Sequence, residues 1–315
     1  MRLLSLLPIL WAAALCSCSP NGARERSSAS SAAAETASET AVAELPLPEV
    51  PPTLTAPAER ADYILAHFWD GMDFDDPGRA HDSLFMEQNT VNYLSLVPHG
   101  SEGAAARSLG ALLGRAAADS VTFALLTGLM ERYLDDPNSP MRNETSYILY
   151  LEELLRLPGL SEYDRLRPAY KLETARKNRP GTVAADFAYI DRSGRRRTLH
   201  ATPGERLLLI FYDPECLHCA DILREVYASY VLRNRIAEKS LTVLAVYTEG
   251  NRTLWDETKG SMPQEWTVGF DLDGIVDREL YSIPAMPVMY LLDRNKTVLL
   301  KDTLLPALES ELVYE

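Results

Sequence analysis

Apolar residues along this chain recur first at helical spacing and then in short continuous runs. Between about residues 57 and 178 they fall three and four apart. Ile64, Leu65 and Phe68 share one face, and residues 84–97, 102–117 and 121–134 carry similar stripes. Thr55 is placed to cap the first helix, with Pro57 in its first turn. Ser139-Pro140 is expected to open a helix carrying Ile148, Leu151 and Leu155, and a last helix is expected over residues 163–177. Breaks fall at Asp73-Phe74-Asp75-Asp76-Pro77-Gly78, at Pro98-His99-Gly100, at residues 135–138 and at Pro158-Gly159. Tyr63, Phe68 and Trp69 read as core rather than as a ligand platform. No fixed-period repeat is present.

The period changes after Asn178-Arg179-Pro180-Gly181. A strand over 187–190, a turn at Asp191-Arg192-Ser193-Gly194 and a return strand over 195–199 come first. An apolar run, Leu207-Leu208-Leu209-Ile210-Phe211-Tyr212, reads as a buried strand, and residues 220–236 read as a helix. A second buried strand covers 241–247, followed by a loop and short helix around 255–266. A hairpin, 288–292 with 297–301, turns at Asp293-Arg294-Asn295-Lys296, and a helix over 305–312 closes the chain. Strands alternating with helices imply an α/β sheet with crossovers, preceded by an all-α domain.

The N-terminus has the pattern of an export signal. Arg2 supplies positive charge, and residues 3–15 form an apolar stretch too short to span a bilayer. Leu15-Cys16-Ser17-Cys18 resembles a bacterial lipobox, with Cys18 the better lipid acceptor because Ser17 is the small residue before it. An ordinary cleaved signal peptide is the alternative. Residues 19–56 are rich in Ser, Ala, Glu and Pro and are expected to be a disordered tether. As a coil, its ~38 residues reach on the order of 35 Å. The expected division is therefore 1–18 signal, 19–56 tether, 57–178 helical domain and 180–315 α/β domain. The placement expected is the cell envelope, lipid-anchored, on a periplasm-facing membrane. The formal net charge of −14 disfavours nucleic acid and anionic lipid headgroups as partners of the surface.

Two of the four cysteines belong to that leader; the others form Cys216-Leu217-His218-Cys219. The pair sits where the buried strand turns into a helix. Unpaired N–H groups and the helix dipole there favour a thiolate at Cys216. A zinc site would need two further ligands, with no second Cys pair and five His in the chain. A structural disulfide over so short a loop would stabilise little. Asp73, Asp75 and Asp76 lack the spacing and closing Glu of a calcium loop. There is no Gly-rich phosphate loop and no Gly-x-Ser-x-Gly elbow.

Residues 180–315 resemble a thioredoxin-like domain of the TlpA type. The likeness lies in Ala185-Asp186-Phe187, the 191–194 hairpin, the strand leading into Cys-x-x-Cys, and a proline before a late strand. That resemblance implies a cis-proline beside the cysteines, followed six residues on by Asp at a hairpin turn. Pro287 with Asp293 fits this spacing; Pro284 fits it less well. The helical region resembles a domain of unknown function that precedes thioredoxin-like domains in Gram-negative lipoproteins. His67-Phe68-Trp69-Asp70 and the run from Tyr133 to Glu144 carry that likeness, as does Tyr212-Asp213-Pro214-Glu215-Cys216 in the next domain. Two positions depart from thioredoxin. Glu215 stands where Trp is common before the first Cys, and Ile210 stands where thioredoxin has a buried acid.

The resemblance implies thiol–disulfide exchange on protein cysteines, with Cys216 as nucleophile and Cys219 as resolving thiol. His218 is expected to stabilise the Cys216 thiolate, opposed by Asp213 and Glu215. Met286 and Pro287 are expected to bind an extended substrate segment by backbone pairing, Met286 as a soft flank. No cofactor is called for. The partners implied are thiol- or disulfide-bearing proteins, a redox partner and, through the anchor, a membrane. Two alternatives remain: a non-catalytic partner-binding lipoprotein on a thioredoxin scaffold, and a thiol peroxidase. Against the peroxidase, Asp213 stands where such sites carry Thr or Ser.

Overall fold

The computed structural model describes residues 43–313. The leader and Cys18 lie outside the described residues, as does most of the segment expected as a tether. The part of that segment that is described is seated on the helical domain. Leu45 is buried, its N–H donates to Asn89 Oδ1 at 2.7 Å, and Asn89 Nδ2 donates to the Ala43 carbonyl at 3.3 Å.

Seven helices form the first domain: α1 Pro57–His67, α2 Pro77–Ala80, α3 Ser83–Leu96, α4 Glu102–Ala116, α5 Ser120–Leu134, α6 Glu144–Arg156 and α7 Glu162–Arg176. Six of them start on a side-chain cap, α2 on Asp76. Asp82, Ser101, Asp119, Asn143 and Ser161 each accept an N–H from the first turn. The first helix differs from the expectation: Ala56 is its N-cap, without a side-chain bond, and Pro57 occupies its first turn. α6 also begins later than expected. Ser139 Oγ donates to the Tyr133 carbonyl and accepts the Met141 N–H, which makes a turn, so the cap falls to Asn143. Phe68, Trp69 and Tyr93 pack edge-on in one core with Leu65, Met86 and Leu109, while Tyr63 is half-buried. Asp73 and Asp76 each accept a nearby backbone N–H, from Asp75 and Gly78.

The second domain is a mixed sheet of β1 Ala188–Asp191, β2 Arg196–Thr198, β3 Arg206–Tyr212, β4 Leu241–Tyr247, β5 Thr267–Asp271, β6 Val288–Asp293 and β7 Val298–Leu300. The order is β2-β1-β5-β4-β3-β6-β7. β3, β4 and β5 are parallel neighbours; β6, β7, β1 and β2 pair antiparallel. Because side chains alternate along a strand, β3 buries two faces. Leu208, Ile210 and Tyr212 meet the cluster under the helices, and Leu207, Leu209 and Phe211 meet the opposite cluster with Phe187, Tyr281 and Tyr290. The helices are α8 Leu217–Ala228, α9 Tyr230–Ala237, α10 Arg252–Thr258 and α11 Leu305–Val313. α8 and α9 divide what was expected to be one helix. Ser229 leaves the helical region, caps α9 through Leu232 N, and donates its hydroxyl to Glu309 at 2.6 Å. β5 was not expected as a strand.

The β1–β2 turn rests on Asp191, a buried carboxylate. It accepts the Ser193 and Arg195 N–H groups, the Ser193 hydroxyl and the Arg197 guanidinium. Burial pushes its pKa up, but those bonds together outweigh burial and hold it well below the usual carboxylate range. A depressed folded pKa contributes stability that is present above about pH 4 and is lost as pH falls further. Asp191→Asn is therefore expected to lower unfolding free energy by about 2 kcal/mol at pH 7. In urea titrations the gap to the parent should shrink on acidification below pH 4; a gap independent of pH would contradict this.

The two domains meet through the run from Tyr133 to Glu144. Arg142 pairs with Asp302, and Glu144 with Lys301 at 2.7 Å. Lys301 also donates to the carbonyls of Ala175 and Lys177 at 2.9 and 2.6 Å. α7 and the residues after it hold the loop that leads to Pro287: Tyr170 OH donates to Glu279 at 2.8 Å, and Asn178 Nδ2 to the Leu280 carbonyl at 2.8 Å. Among the described residues, no helix is long and apolar enough to cross a membrane.

Candidate functional site

β3, an interior strand of the sheet, ends at Tyr212, and Asp213 turns the chain. Asp213 Oδ1 accepts the Glu215 N–H at 3.0 Å, and its carbonyl accepts the Cys216 N–H at 3.2 Å. Cys216 then becomes the N-cap of α8, with its sulfur accepting the Cys219 N–H at 3.3 Å. A thiol sulfur thus does what a Ser or Asp oxygen does at other helix starts. The position expected from sequence is the position observed.

Both cysteines are free thiols, and they differ in surroundings. Cys216 is half-buried beside exposed Glu215, Leu217 and His218, with Leu217 84 % exposed. Cys219 is fully buried among Ile210, Tyr212 and Val226. Burial is the main reason its pKa is pushed up to about 12. The Asp213 N–H opposes this, and Cys216 and the Asp213 carboxylate add to it. Ile210, on β3, supplies an apolar surface in that cluster where thioredoxin has an acid.

Across from the sulfurs, the Met286–Pro287 peptide is cis. Cys216 Sγ donates to the Met286 carbonyl at 4.0 Å. Met286 therefore meets Cys216 through its backbone oxygen as well as packing against the apolar cluster with its side chain. Pro287 immediately precedes β6, and Asp293 closes that strand at the hairpin, accepting the Asn295 and Thr297 N–H groups. Cys216, Cys219, Met286 and Pro287 are thus brought together, and His218 lies exposed on the first turn of α8. Asp213 was expected to act on Cys216; its contribution to the buried thiol of Cys219, through one N–H and one carboxylate, was not foreseen. Among the described residues, no group of three or more His, Cys, Asp or Glu is placed to hold a metal ion.

Comparison with known proteins agrees with this architecture. Residues 17–178 match a family described as a domain of unknown function, DUF5106. A thioredoxin-like protein from Bacteroides caccae, known from its crystal structure, is 35 % identical over 86 % of this chain and 98 % of its own, with a TM-score of 0.80. The C-terminal domain of an uncharacterized protein from Bacteroides fragilis is 40 % identical over 43 % of this chain and 97 % of its own, with a TM-score of 0.42. A domain of a possible thiol-disulfide isomerase from Cytophaga hutchinsonii is 26 % identical over 44 % of this chain and 94 % of its own, with a TM-score of 0.38. No curated protein matches the chain. A family match over half the chain and a solved relative spanning both domains lead to one conclusion: the chain belongs to the DUF5106 family, with its helical domain joined to a thioredoxin-like domain.

Proposed function

We propose that this protein is an exported, lipid-anchored thiol–disulfide oxidoreductase of the TlpA type that acts on protein cysteines. The observation that carries the reading is the pair itself: a half-buried Cys216 sulfur capping α8, 4.0 Å from the carbonyl of a cis-prolyl loop, with a buried thiol one turn behind it. The Cys216 thiolate attacks one sulfur of a substrate disulfide. A Cys216–substrate disulfide forms and the other substrate sulfur leaves as a thiolate. Cys219 then loses its proton and attacks Cys216 Sγ, which releases the second substrate thiolate and leaves a Cys216–Cys219 disulfide. The reverse sequence oxidises a dithiol. Met286 and Pro287 offer backbone to an extended substrate segment. Cys18 carries the anchor, and the export signal places the pair in an oxidising compartment.

Trapping tests the reading. With Cys219→Ala, incubation with disulfide-bearing proteins is expected to accumulate adducts that dithiothreitol removes, and Cys216→Ala should yield none. A Cys219→Ala protein that binds partners but forms no reducible adduct would leave the partner-binding reading in its place. The direction of electron flow follows from the reduction potential. A value near roughly −270 mV marks a reductase and one near roughly −120 mV an oxidase.

A further inference from the structure

A cavity of about 580 Å³ lies where the helical domain meets the loop that carries Pro287. One wall comes from the end of α5, the residues after it and α7; the other is Ser282 and Pro284. Pro284 stands two residues before Met286, a span of at most about 7 Å of extended chain. The Met286 carbonyl is in turn 4.0 Å from Cys216 Sγ. The sheet places the cavity and the thiols at the same end. β6 starts beside Phe211, at the end of β3. β7 runs antiparallel to β6, so the residues after β7 return to that start, where the Thr303 N–H donates to the Met289 carbonyl at 3.0 Å. Arg142, on the cavity wall, pairs with Asp302 there.

Charge decides what such a cavity accepts. Every cation on its wall is already matched: Arg132 by Glu87 at 2.9 Å, Lys171 by Asp135 at 2.7 Å, and Arg142 by Asp302. Of the wall carboxylates, Glu131 and Glu144 are matched by Arg167 and Lys301 at 2.6 and 2.7 Å. Asp136 is exposed and has no cation among the described residues. Its Oδ1 accepts the Asn138 N–H at 2.8 Å and Asn138 Nδ2 at 3.2 Å, and its second oxygen is open. An entering anion would meet no free cation, whereas an ammonium or guanidinium would meet an open carboxylate. Lysine and arginine also carry long apolar stems, for which Leu134, Pro137 and Pro284 supply apolar wall. The volume lies within the range of ligand pockets.

We infer that this cavity is a subsite for a basic side chain of the polypeptide whose cysteine reacts with Cys216, so that the helical domain supplies part of the substrate site. The inference rests on the exchange reading above and adds to it the class of polypeptide the site prefers. Short peptides, each with one cysteine in a mixed disulfide with thionitrobenzoate, provide the test. Lysine, glutamate or serine is placed at successive positions on either side of the cysteine. The Cys216 thiolate attacks the peptide sulfur, the Cys216–peptide disulfide forms, and thionitrobenzoate leaves as a thiolate read by its absorbance.

On one side of the cysteine, lysine is expected to react about fivefold faster than serine at the same position, the size of an exposed ion pair, and glutamate more slowly than serine. Asp136→Asn should bring the lysine-to-serine ratio close to one. Asparagine keeps an oxygen for the Asn138 N–H, and an unchanged rate with the serine peptide checks that the fold is retained. Glu215→Gln, next to the thiol, should leave the one-sided preference in place. Equal rates for all peptides would overturn the subsite and leave exchange intact. A lysine preference that is the same on both sides of the cysteine, or that survives Asp136→Asn, would trace to carboxylates elsewhere and overturn it equally. Release from no peptide would overturn exchange itself.

Discussion

At pH 8, Cys219 in a folded Cys216→Ser variant is expected to react with iodoacetamide at least a hundredfold more slowly than the same thiol in urea. Two effects oppose each other. With its pKa pushed up to about 12, chiefly by burial, the folded thiol is ionised at roughly one part in 10⁴ at pH 8, against about a quarter for a free cysteine. A more basic thiolate is intrinsically more nucleophilic, by about 0.4–0.5 log units per pKa unit, which returns roughly forty-fold. The population term wins, and full burial adds a barrier of access that both estimates leave out. Replacing Cys216 removes a lesser cause of the shift; burial remains. Comparable rates in the folded and unfolded protein would show that the buried thiol is open to solvent.

The same shift has a consequence for the proposed exchange reaction and one for stability. Resolution of a mixed disulfide requires the Cys219 thiolate, and Ile210 offers no carboxylate to take the proton. The resolving step should therefore rise about tenfold per pH unit below the Cys219 pKa. For stability, a raised folded pKa means that the folded state holds its proton longer than the unfolded state. The contribution is complete below about pH 9 and is lost as pH rises towards 12. Slow resolution also suits the trapping experiment, because adducts through Cys216 persist long enough to be isolated.

The thiol turn and the two parallel strands beside it were readable because each has a local cause, whereas the proline opposite was expected only from the resemblance. Seven consecutive ladder pairs join β3 and β4, whose residues are apolar but for Arg206 and Thr242. Cys216 caps a helix from a position that any strand-to-helix turn would give it. What escaped the sequence depends on contacts distant along the chain. β5 contains Gly269, which weakens its strand signal. Yet a Cβ there would come within 2.7 Å of Tyr189 Cδ2 on the neighbouring strand, so the packing of that ring requires glycine. The break at Ser229 interrupts an unbroken helical period, and it is fixed in part by Glu309 from the last helix. The cavity at the domain joint brings together residues near 136, 171 and 284, which no spacing rule relates. The run from Tyr133 to Glu144 was conspicuous as a resemblance, but its role lies in Arg142 and Glu144 reaching the second domain.

That joint should be the most sensitive point of the fold outside the core. Lys301→Met is expected to lower the unfolding free energy by roughly 3–5 kcal/mol, as when one partner of a buried ion pair is removed. The Lys301 side chain is 4 % exposed and serves three acceptors: Glu144 and the carbonyls that end α7. Burial pushes the Lys301 pKa down and the Glu144 pKa up, so each charge is held against desolvation mainly by the other. Methionine fills much of the same volume but leaves a half-buried carboxylate and two carbonyls without their donor. Adding Glu144→Leu removes the stranded charge, and the double variant is expected to recover part of the loss. The shortfall would measure what the two carbonyls contribute. Because α7 and its C-terminal extension also fix Glu279 and Leu280, ahead of the Met286–Pro287 turn, the single variant should slow exchange at Cys216 while the protein is still folded. A stability loss under 1 kcal/mol in urea titration would show instead that the helical domain is joined to the thioredoxin-like sheet by contacts that do not depend on Lys301.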